Sequence, residues 1–327
     1  MKRNWLSYMC MAALLSGALT SCNESSFLNL SDPNHFTESN FWKDKADAES
    51  ALAAAYSPIK GAMYGYFSAF DGWLNLNGRG DDIFTIKGEE VPMWNIANFL
   101  NSPSTGNDPY GALYSGIQRA NIVLRYIDQI PASGITEEDR SMIKGEALFL
   151  RGYQYFLLVN NYKEVPLRLI PSNEDETNKG PASEAALWTQ VEEDLGNAIK
   201  CNLPVERTTA KERVTKGAAI AMLGKVYATQ HKYPEAKQLL VSLLSAPYSY
   251  ELVDDFAKNF TNEEEFNKES VYEIAYSPDG KRYLLGLLYT AVYRSRKIRR
   301  MGQANAELFH RRRIHQRNPS EWCRYKL

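Results

Sequence analysis

The stretch that decides the fold is Gly145-Glu-Ala-Leu-Phe-Leu-Arg-Gly-Tyr-Gln-Tyr-Phe-Leu-Leu-Val-Asn-Asn-Tyr-Lys-Glu-Val-Pro-Leu167. Apolar side chains recur in and just before it at intervals of three and four, which is the spacing of one turn of a helix. They occupy two adjoining faces, the first with Ile143, Ala147, Leu150 and Leu157, the second with Leu148, Tyr155 and Leu158. An apolar arc of this width predicts a long helix that other elements cover on more than one side.

The same helix carries signals for its start and its end. Thr136 is a suitable N-cap residue, and Asp139 three positions later completes a variant of the capping box with an acid in the first turn. The helix is expected to end at Asn160-Asn161, because Pro166 soon afterwards forbids its continuation. A long buried helix of this kind is a scaffold, so the function must come from other parts of the chain.

Helical patterns fill most of the remaining chain. Asp44 can cap a helix over about residues 45–63, in which one face is shared by Ala46, Leu52, Ala53, Tyr56 and Ile59. Further helices are predicted over about 110–130, from about 183 up to Pro204, and over about 211–230 and 233–245. Because alternating apolar patterns are almost absent, the predicted class is all-α, a succession of helical hairpins.

One of these hairpins has the spacing of a tetratricopeptide repeat. Leu223-Gly224-x-x-Tyr227 is followed by Ala236 and then by Leu240. The small residues Gly224 and Ala236 allow two antiparallel helices to approach closely, and the larger side chains fill the gap between them. Gly152-x-x-Tyr155 repeats the Gly-to-Tyr spacing in the long helix. The pattern predicts a tetratricopeptide-like helical-repeat scaffold, an α-solenoid that carries long irregular loops.

The charge distribution divides the chain near residue 280. Residues 1–280 hold 25 Lys and Arg against 37 Asp and Glu, whereas residues 281–327 hold 13 Lys and Arg against two Glu. The overall charge of −1 therefore conceals an acidic body and a basic tail. An acidic body has no positive field to gather phosphates, so we expect no nucleic-acid partner.

The first 21 residues read as a lipoprotein signal peptide. Lys2 and Arg3 precede an apolar run that is too short to span a bilayer, and the run ends in Leu19-Thr-Ser-Cys22. This ending resembles the bacterial lipobox, which implies that Cys22 becomes the lipidated N-terminus, palmitate included, and anchors the protein in a membrane. An ordinary signal peptide with a nearby cysteine is the alternative. Cys201 stands alone in the body and is predicted to be a buried helix residue.

Several segments together resemble the SusD/RagB family of outer-membrane nutrient-binding lipoproteins of Bacteroidetes. The resemblance extends over about residues 20–278 and rests on the order and spacing of the segments. They are Leu19–Cys22, Phe41-Trp42, Ala48–Tyr56, Ile117-Gln-Arg-Ala-Asn121, Glu146–Tyr153, Val165-Pro-Leu167, Trp188–Leu195, Thr215–Ala219 and Glu269–Ile274. The resemblance implies a helical-repeat scaffold for residues 22–280, with loops that bind glycans and no catalytic activity. It also implies a TonB-dependent porin as the partner, at the surface of the outer membrane.

The chain departs from the family pattern at its C-terminal end. Family members continue for a few hundred residues beyond the Glu-Ile segment, but here the pattern stops near residue 280. Residues 281–327 are rich in arginine and have neither capping signals nor a clear period. We therefore expect an out-of-frame or truncated tail, in which case the product could be a non-functional family member. The alternative is a basic arm for nucleic acid or membrane.

The candidate ligand surface is the long loop between the first two helices and the start of the second. Sugars offer apolar ring faces and fixed hydroxyl groups, so a site for them needs aromatic platforms beside polar side chains. The platforms would be Trp73, Trp94 and Tyr110, and the polar partners Asn77, Arg79, Asp81, Asp82 and Asn95. The alternative for each aromatic residue is that it fixes the loop to the helices.

No cofactor is expected. Asn75-x-Asn77-Gly78 matches only part of a calcium loop, because Trp73 stands where the loop requires an acid. A calcium ion bound by a different set of residues remains an alternative. Two further functions are weighed against glycan capture: a helical-repeat scaffold lipoprotein that binds protein partners, and a tethered hydrolase, which would need paired carboxylates in a cleft.

Overall fold

The computed structural model describes residues 41–60, 80, 94–95, 97–100, 110–172 and 174–275. The chain divides into two compact units, residues 1–43 and residues 44–327. In the first unit, the rings of Phe41 and Trp42 meet edge to face with centroids 5.2 Å apart. The predicted signal peptide, Cys22 and the basic tail 281–327 lie outside the described residues.

Helices make up the regular secondary structure of the described part of the second unit. Its helices are α1 Lys45–Lys60, α2 Tyr110–Tyr126, α3 Glu137–Tyr162, α4 Glu174–Thr177, α5 Glu184–Lys200, α6 Lys216–Thr229 and α7 Tyr233–Ser242. Short 3-10 helices cover Ile127–Gln129, Phe256–Phe260 and Asn262–Glu264. The described residues contain no β-strand, and an isolated antiparallel bridge joins Pro166 to Pro181. The prediction of an all-α fold is confirmed.

Helix α3 lies at the centre of this unit. It contacts α1, α2 and α5, while α5 contacts α6 and α6 contacts α7. Between residues 145 and 159 every residue except Leu148 and Tyr153 is buried. The wide apolar arc therefore marks a helix that neighbours cover on nearly every side, as the sequence predicts.

The N-termini of the helices follow their capping signals. The Thr136 hydroxyl accepts a hydrogen bond from the amide of Asp139 at 3.1 Å, and Asp44 accepts from the amides of residues 46 and 47. Helix α6 begins at Lys216 and not near residue 211, because the Thr215 hydroxyl accepts from the amide of Ala218. The prediction for the start of this helix was wrong by about five residues.

Close approach between helices occurs where glycine stands. A Cβ atom on Gly224 would lie 2.7 Å from Cδ2 of Leu240, which confirms the predicted contact of the α6–α7 hairpin. A Cβ atom on Gly152 would lie 3.1 Å from Cβ of Asp194 and 3.2 Å from Cγ of Leu195. The two glycines thus let α3 approach α5 and α6 approach α7.

Two local predictions differ from the structure. In α1 the residues Ala46 and Ala53 are exposed, and Ala48 and Ala55 are buried instead, because α1 is rotated relative to the predicted face. Cys201 is half-buried and forms the C-cap of α5, so it is not a buried helix residue. Its backbone amide closes the last turn of α5 by donating to the carbonyl oxygens of residues 197 and 198.

Candidate functional site

Three of the eight predicted ligand residues lie in the described part of the chain. Trp94 and Asn95 are half-buried on a helical turn, and Tyr110 is half-buried at the first position of α2. The other five, Trp73, Asn77, Arg79, Asp81 and Asp82, lie outside the described residues.

The turn that carries Trp94 and Asn95 is held by local hydrogen bonds. The side-chain amide of Asn98 donates to the carbonyl oxygen of Trp94 at 2.7 Å. The backbone amide of Leu100 donates to the carbonyl oxygen of Asn95 at 2.8 Å. The neighbouring Phe99 is 67% exposed, so this turn presents aromatic surface to solvent.

Tyr110 belongs to a group of three half-buried rings. Its centroid lies 4.7 Å from that of Tyr114, one turn further along α2, and 5.2 Å from that of Tyr162 at the end of α3. The ring of Tyr162 meets the ring of Tyr110 edge to face, which is a favoured geometry for aromatic pairs. These three residues are called the tyrosine cluster below.

A guanidinium group adds a positive charge to the tyrosine cluster. The Cζ atom of Arg168 lies 5.0 Å from the ring centroid of Tyr114, within the range of a cation–π contact. The Arg168 Nη2 atom also donates to the carbonyl oxygen of Thr177 at 3.1 Å. The cluster therefore combines aromatic faces with a cation that the backbone holds in place.

The hydroxyl of Tyr114 fixes its ring. It donates to the carbonyl oxygen of Pro166 at 2.5 Å. Burial, together with a hydrogen bond to Tyr110, raises the pKa of Tyr114 well above its ordinary value. The phenol therefore stays protonated at physiological pH and keeps its donor role.

The segment 165–172 next to the cluster is pinned to α2 and α3 by side chains. The Tyr155 hydroxyl donates to the carbonyl oxygen of Arg168 at 2.8 Å and accepts from the amide of the same residue at 2.7 Å. The Asn121 amide donates to the carbonyl oxygens of Arg168 and Ile170. Two buried polar side chains thus satisfy backbone groups of this non-helical segment.

A buried ion pair joins α3 to α5 behind this segment. Arg151 donates from Nε to Oδ2 of Asp194 at 2.8 Å and from Nη2 to Oδ1 at 2.6 Å. Its Nη1 atom donates to Oδ1 of Asn121 on α2 at 2.9 Å. The side chains of Arg151 and Asp194 are only 10% and 2% exposed. Three helices therefore meet at this one pair, called the Arg151–Asp194 pair below.

A second buried cluster surrounds Glu146, whose side chain is fully buried. Its carboxylate accepts from Arg207 Nη2 at 2.6 Å, from Arg213 Nη2 at 2.8 Å and from the Tyr56 hydroxyl at 2.6 Å. Arg213 also pairs with Glu49 on α1 at 2.8 Å. These five residues, the Glu146 cluster, fasten the α5–α6 connection to α1 and α3.

Residues that carry the family resemblance thus have structural roles in this unit. Asn121, Glu146, Arg151 and Asp194 all come from the matching segments, and all four are buried. Their hydrogen bonds are made to other parts of the scaffold. The segments that identify the family are therefore mostly separate from the candidate ligand surface.

Sequence reasoning missed Tyr114, Tyr162 and Arg168. A signal for the first exists, because Tyr110 and Tyr114 stand one helical turn apart and so share a face. Tyr162 and Arg168 follow the predicted end of the long helix, and only the packing of α2 against α3 brings Tyr162 to Tyr110 and Arg168 to Tyr114.

The described residues hold no group of three or more His, Cys, Asp or Glu side chains placed to share a metal ion. None of the helices within them combines the length and the apolarity that crossing a bilayer requires.

Comparison with known proteins places this scaffold among SusD-like proteins. A SusD-like family model, described as "Starch-binding associating with outer membrane", matches residues 80–228. A SusD-like protein of Formosa agariphila is 26% identical over 234 residues, which make up 70% of this chain and 43% of that protein.

Solved structures agree with this placement. A SusD superfamily protein of Bacteroides vulgatus has a TM-score of 0.65 at 32% identity, over 72% of this chain and 50% of that chain. A laminarin-binding SusD-like protein has a TM-score of 0.65 at 29% identity, over 72% and 52% of the two chains. The chain spans about half the length of the relatives that it matches.

Proposed function

This chain belongs to the SusD/RagB family, and we propose from that premise that it captures oligosaccharides at the outer membrane for a TonB-dependent transporter. The observation that carries the proposal is the tyrosine cluster, in which three rings make two ring contacts and Arg168 lies over one of the rings. The family is described as starch-binding, and one similar protein binds laminarin. Both ligands are neutral glucans, so we propose a glucan or a related oligosaccharide as the ligand.

The chemistry of the tyrosine cluster suits such a ligand. A pyranose ring has apolar C–H faces that lie well against aromatic rings, and its hydroxyl groups bond to phenols and guanidinium groups. The Tyr114 ring is fixed by its bond to Pro166 and the Arg168 side chain by its bond to Thr177. A site that is ordered before binding loses less entropy when the ligand arrives, which favours affinity.

The remaining predicted residues would extend this surface. Trp94 offers a further platform and Asn95 a polar side chain on the same turn. In our proposal the loop residues Trp73, Asn77, Arg79, Asp81 and Asp82 complete the site. The protein would bind the glycan without cleaving it, so incubation of purified protein with glucans should release no new reducing ends.

The test of capture uses affinity gels that contain laminarin or starch. Tyr110→Ala and Trp94→Ala should each weaken retardation by at least threefold, because each removes a stacking face worth about 1 kcal/mol or more. Tyr233→Ala is the matched control, since Tyr233 is 60% exposed on α7, away from the cluster.

The melting temperature separates binding from folding in this test. Both variants should melt close to the parent protein, because Tyr110 and Trp94 are only half-buried. Variants that melt early while they keep full retardation would show that these aromatic residues only support the scaffold.

The anchor is proposed at Cys22, in the lipobox-like segment. Cys22→Ala should move the protein from the membrane fraction to the soluble fraction, because stable anchoring needs the acyl chains. Ser21→Ala, which keeps the cysteine, is the control. If the Cys22→Ala variant stayed in the membrane fraction and only detergent released it, the result would contradict lipidation at this residue.

The transporter partner follows from the same family premise. A lipid anchor would hold the protein beside an outer-membrane porin and so raise the local concentration of ligand at its mouth. Mild-detergent pull-down of the tagged protein from its native membranes should recover a TonB-dependent porin. Recovery of the porin at the level of an untagged control would count against this partner.

A protein-binding scaffold is the second candidate, and one observation favours it. Large apolar side chains beyond α7 are strongly exposed, among them Leu244 at 76%, Leu252 at 78% and Phe260 at 75%. Exposed apolar surface of this kind often marks a protein interface. This function predicts that glycan gels show no retardation while pull-downs recover a partner.

A further inference from the structure

A cavity of about 280 Å³ opens between the α5–α6 connection and the chain after α7. Its walls come from residues 205–215, 247–250 and 266–273, so it shares no residue with the tyrosine cluster. Sites for drug-sized ligands measure about 300–1,000 Å³, so this cavity is just below that range. Its size therefore suits one ring of a ligand and not a longer chain.

Two tyrosine rings form part of the wall. The rings of Tyr248 and Tyr250 are nearly parallel, with centroids 6.1 Å apart and planes 12° apart. A Cβ atom on Gly217 would lie 2.2 Å from the Tyr250 hydroxyl, so this ring is seated against the first turn of α6. The cavity thus contains aromatic surface in a fixed position, which is what the apolar face of a sugar requires.

Polar donors in the wall remain unused. The Arg207 side chain is only 10% exposed, and its Nε and Nη2 atoms donate to Val214 and Glu146. Within the described part of the chain, its Nη1 atom makes no hydrogen bond. The hydroxyls of Tyr248 and Tyr250 likewise bond to none of the described residues. None of these donors is enclosed, so solvent or the hydroxyl oxygens of a bound ligand can accept hydrogen bonds from them.

The charges around the cavity nearly balance. The charge of Arg207 is offset by Glu146, and Lys268 pairs with Glu251 at 2.9 Å. Lys211 faces the cavity together with the carboxylates of residues 206 and 273. An acidic ligand would therefore find no net positive charge to hold it, whereas a neutral polyhydroxyl ring meets no such penalty.

We propose that this cavity is a second ligand site, which takes one neutral pyranose ring of an oligosaccharide. The ring lies against Tyr248 and Tyr250, and its hydroxyl oxygens accept from Arg207. The site rests on its own residues and remains even if the tyrosine cluster binds no ligand.

The test uses the full chain with Tyr110→Ala and Tyr162→Ala combined, which removes the tyrosine cluster. Saturation-transfer NMR titrations with maltotriose and laminaritriose should still detect binding of at least one of them to this parent. Tyr248→Ala should weaken that binding at least fivefold, and Ser249→Trp should abolish it by filling the cavity from an exposed wall position. Tyr233→Ala, outside the cavity, should leave it unchanged.

Three results would overturn the proposal. The first is that the parent binds neither trisaccharide. The second is that the Ser249→Trp variant binds a trisaccharide as tightly as the parent does. The third is that the acidic trisaccharide trigalacturonate binds as tightly as the neutral trisaccharides. That result would contradict the argument from charge. If Tyr248→Ala melts early, Ser249→Trp decides alone, because residue 249 is exposed and tolerates a larger side chain.

Discussion

Helix α3 and the α6–α7 hairpin are parts of one scaffold, yet they are stabilised differently. Fifteen of the 26 residues of α3 are buried, whereas α7 buries only Ala236. Helix α3 also contributes to both buried ionic clusters, while the sides of α7 expose Leu240 at 40% and Val241 at 51%. Stability is therefore concentrated in the α1–α2–α3–α5 region, and α7 depends on few contacts.

The comparison also separates two kinds of sequence signal. The long helix is recognised by its apolar arc and by charged residues that other parts of the chain neutralise. The α6–α7 hairpin is recognised by a glycine and an alanine that allow close approach. Changes in the first kind of residue should therefore cost much more free energy of unfolding than changes in the second.

The largest effect is expected from Glu146→Ala. The change leaves Arg207 and Arg213 beside α3 without their shared carboxylate, and removing one partner of a buried pair typically costs about 3–5 kcal/mol. Chemical denaturation should show the free energy of unfolding reduced by that amount. Glu137→Ala is the control on the same helix, since the Glu137 side chain is 81% exposed and its pair is worth less than about 1 kcal/mol. Equal losses in the two variants would refute the central role of the Glu146 cluster.

A slightly smaller loss is expected from Asp194→Ala. Arg151 would keep its bond to Asn121 but lose both carboxylate bonds, which should cost about 3 kcal/mol. Glu193→Ala, at the neighbouring and exposed position of α5, should change the free energy of unfolding by less than about 0.5 kcal/mol. Thermal melting of the two variants side by side measures the difference. If the Asp194→Ala and Glu193→Ala variants had the same melting temperature, α3 and α5 would be held together by apolar contacts alone.

The two glycine contacts offer a direct comparison of the regions. Gly152→Ala places a methyl group against the buried Asp194 and Leu195, so overpacking should lower the free energy of unfolding by about 1–2 kcal/mol. Gly224→Ala meets only the end of the flexible Leu240 side chain, and the higher helix propensity of alanine, up to about 1 kcal/mol, should offset the contact. Denaturant titrations should therefore find Gly224→Ala within about 0.5 kcal/mol of the parent. A larger loss in Gly224→Ala would reverse the ranking of the two regions.

The smallest effect is expected where α1 meets the first turn of α3. A hydrogen bond from Lys45, with a second from Thr136, lowers the pKa of the Asp139 carboxyl. Because the pKa is lower in the folded state, this stabilisation is present above the unfolded value of about 4 and is lost as pH falls through the folded value. Asp139→Asn should therefore cost about 0.5–1 kcal/mol at pH 7, and the cost should disappear in acid.

The control for this pH effect is Glu138→Gln, one position earlier in the first turn of α3. Glu138 is exposed and makes no ion pair within the described residues, so only its favourable position near the helix N-terminus is lost. Its effect should be smaller than that of Asp139→Asn at pH 7. If Asp139→Asn lowered the free energy of unfolding by the same amount at pH 7 and at pH 3, the effect would come from capping and not from charge.

The candidate site was predictable only in part, and for a physical reason. Tyr110 was found because an aromatic residue at the start of a helix follows a polar loop, which is a local pattern. Tyr162 and Arg168 lie about fifty residues away in sequence, and they reach Tyr110 and Tyr114 respectively because α2 and α3 pack side by side. No spacing along the chain encodes that contact.

The sequence by itself determined the helical class, the extent of the long helix and its N-cap, because the spacing of apolar residues and capping are local properties. It also determined the family, through short segments in a set order. Only the tertiary structure decided which way α1 faces, that α6 begins at Lys216, and that Glu146 and Arg151 hold the helices together. These features depend on partners from distant parts of the chain, since a buried charge is stable only where folding brings its counter-charge within hydrogen-bonding distance.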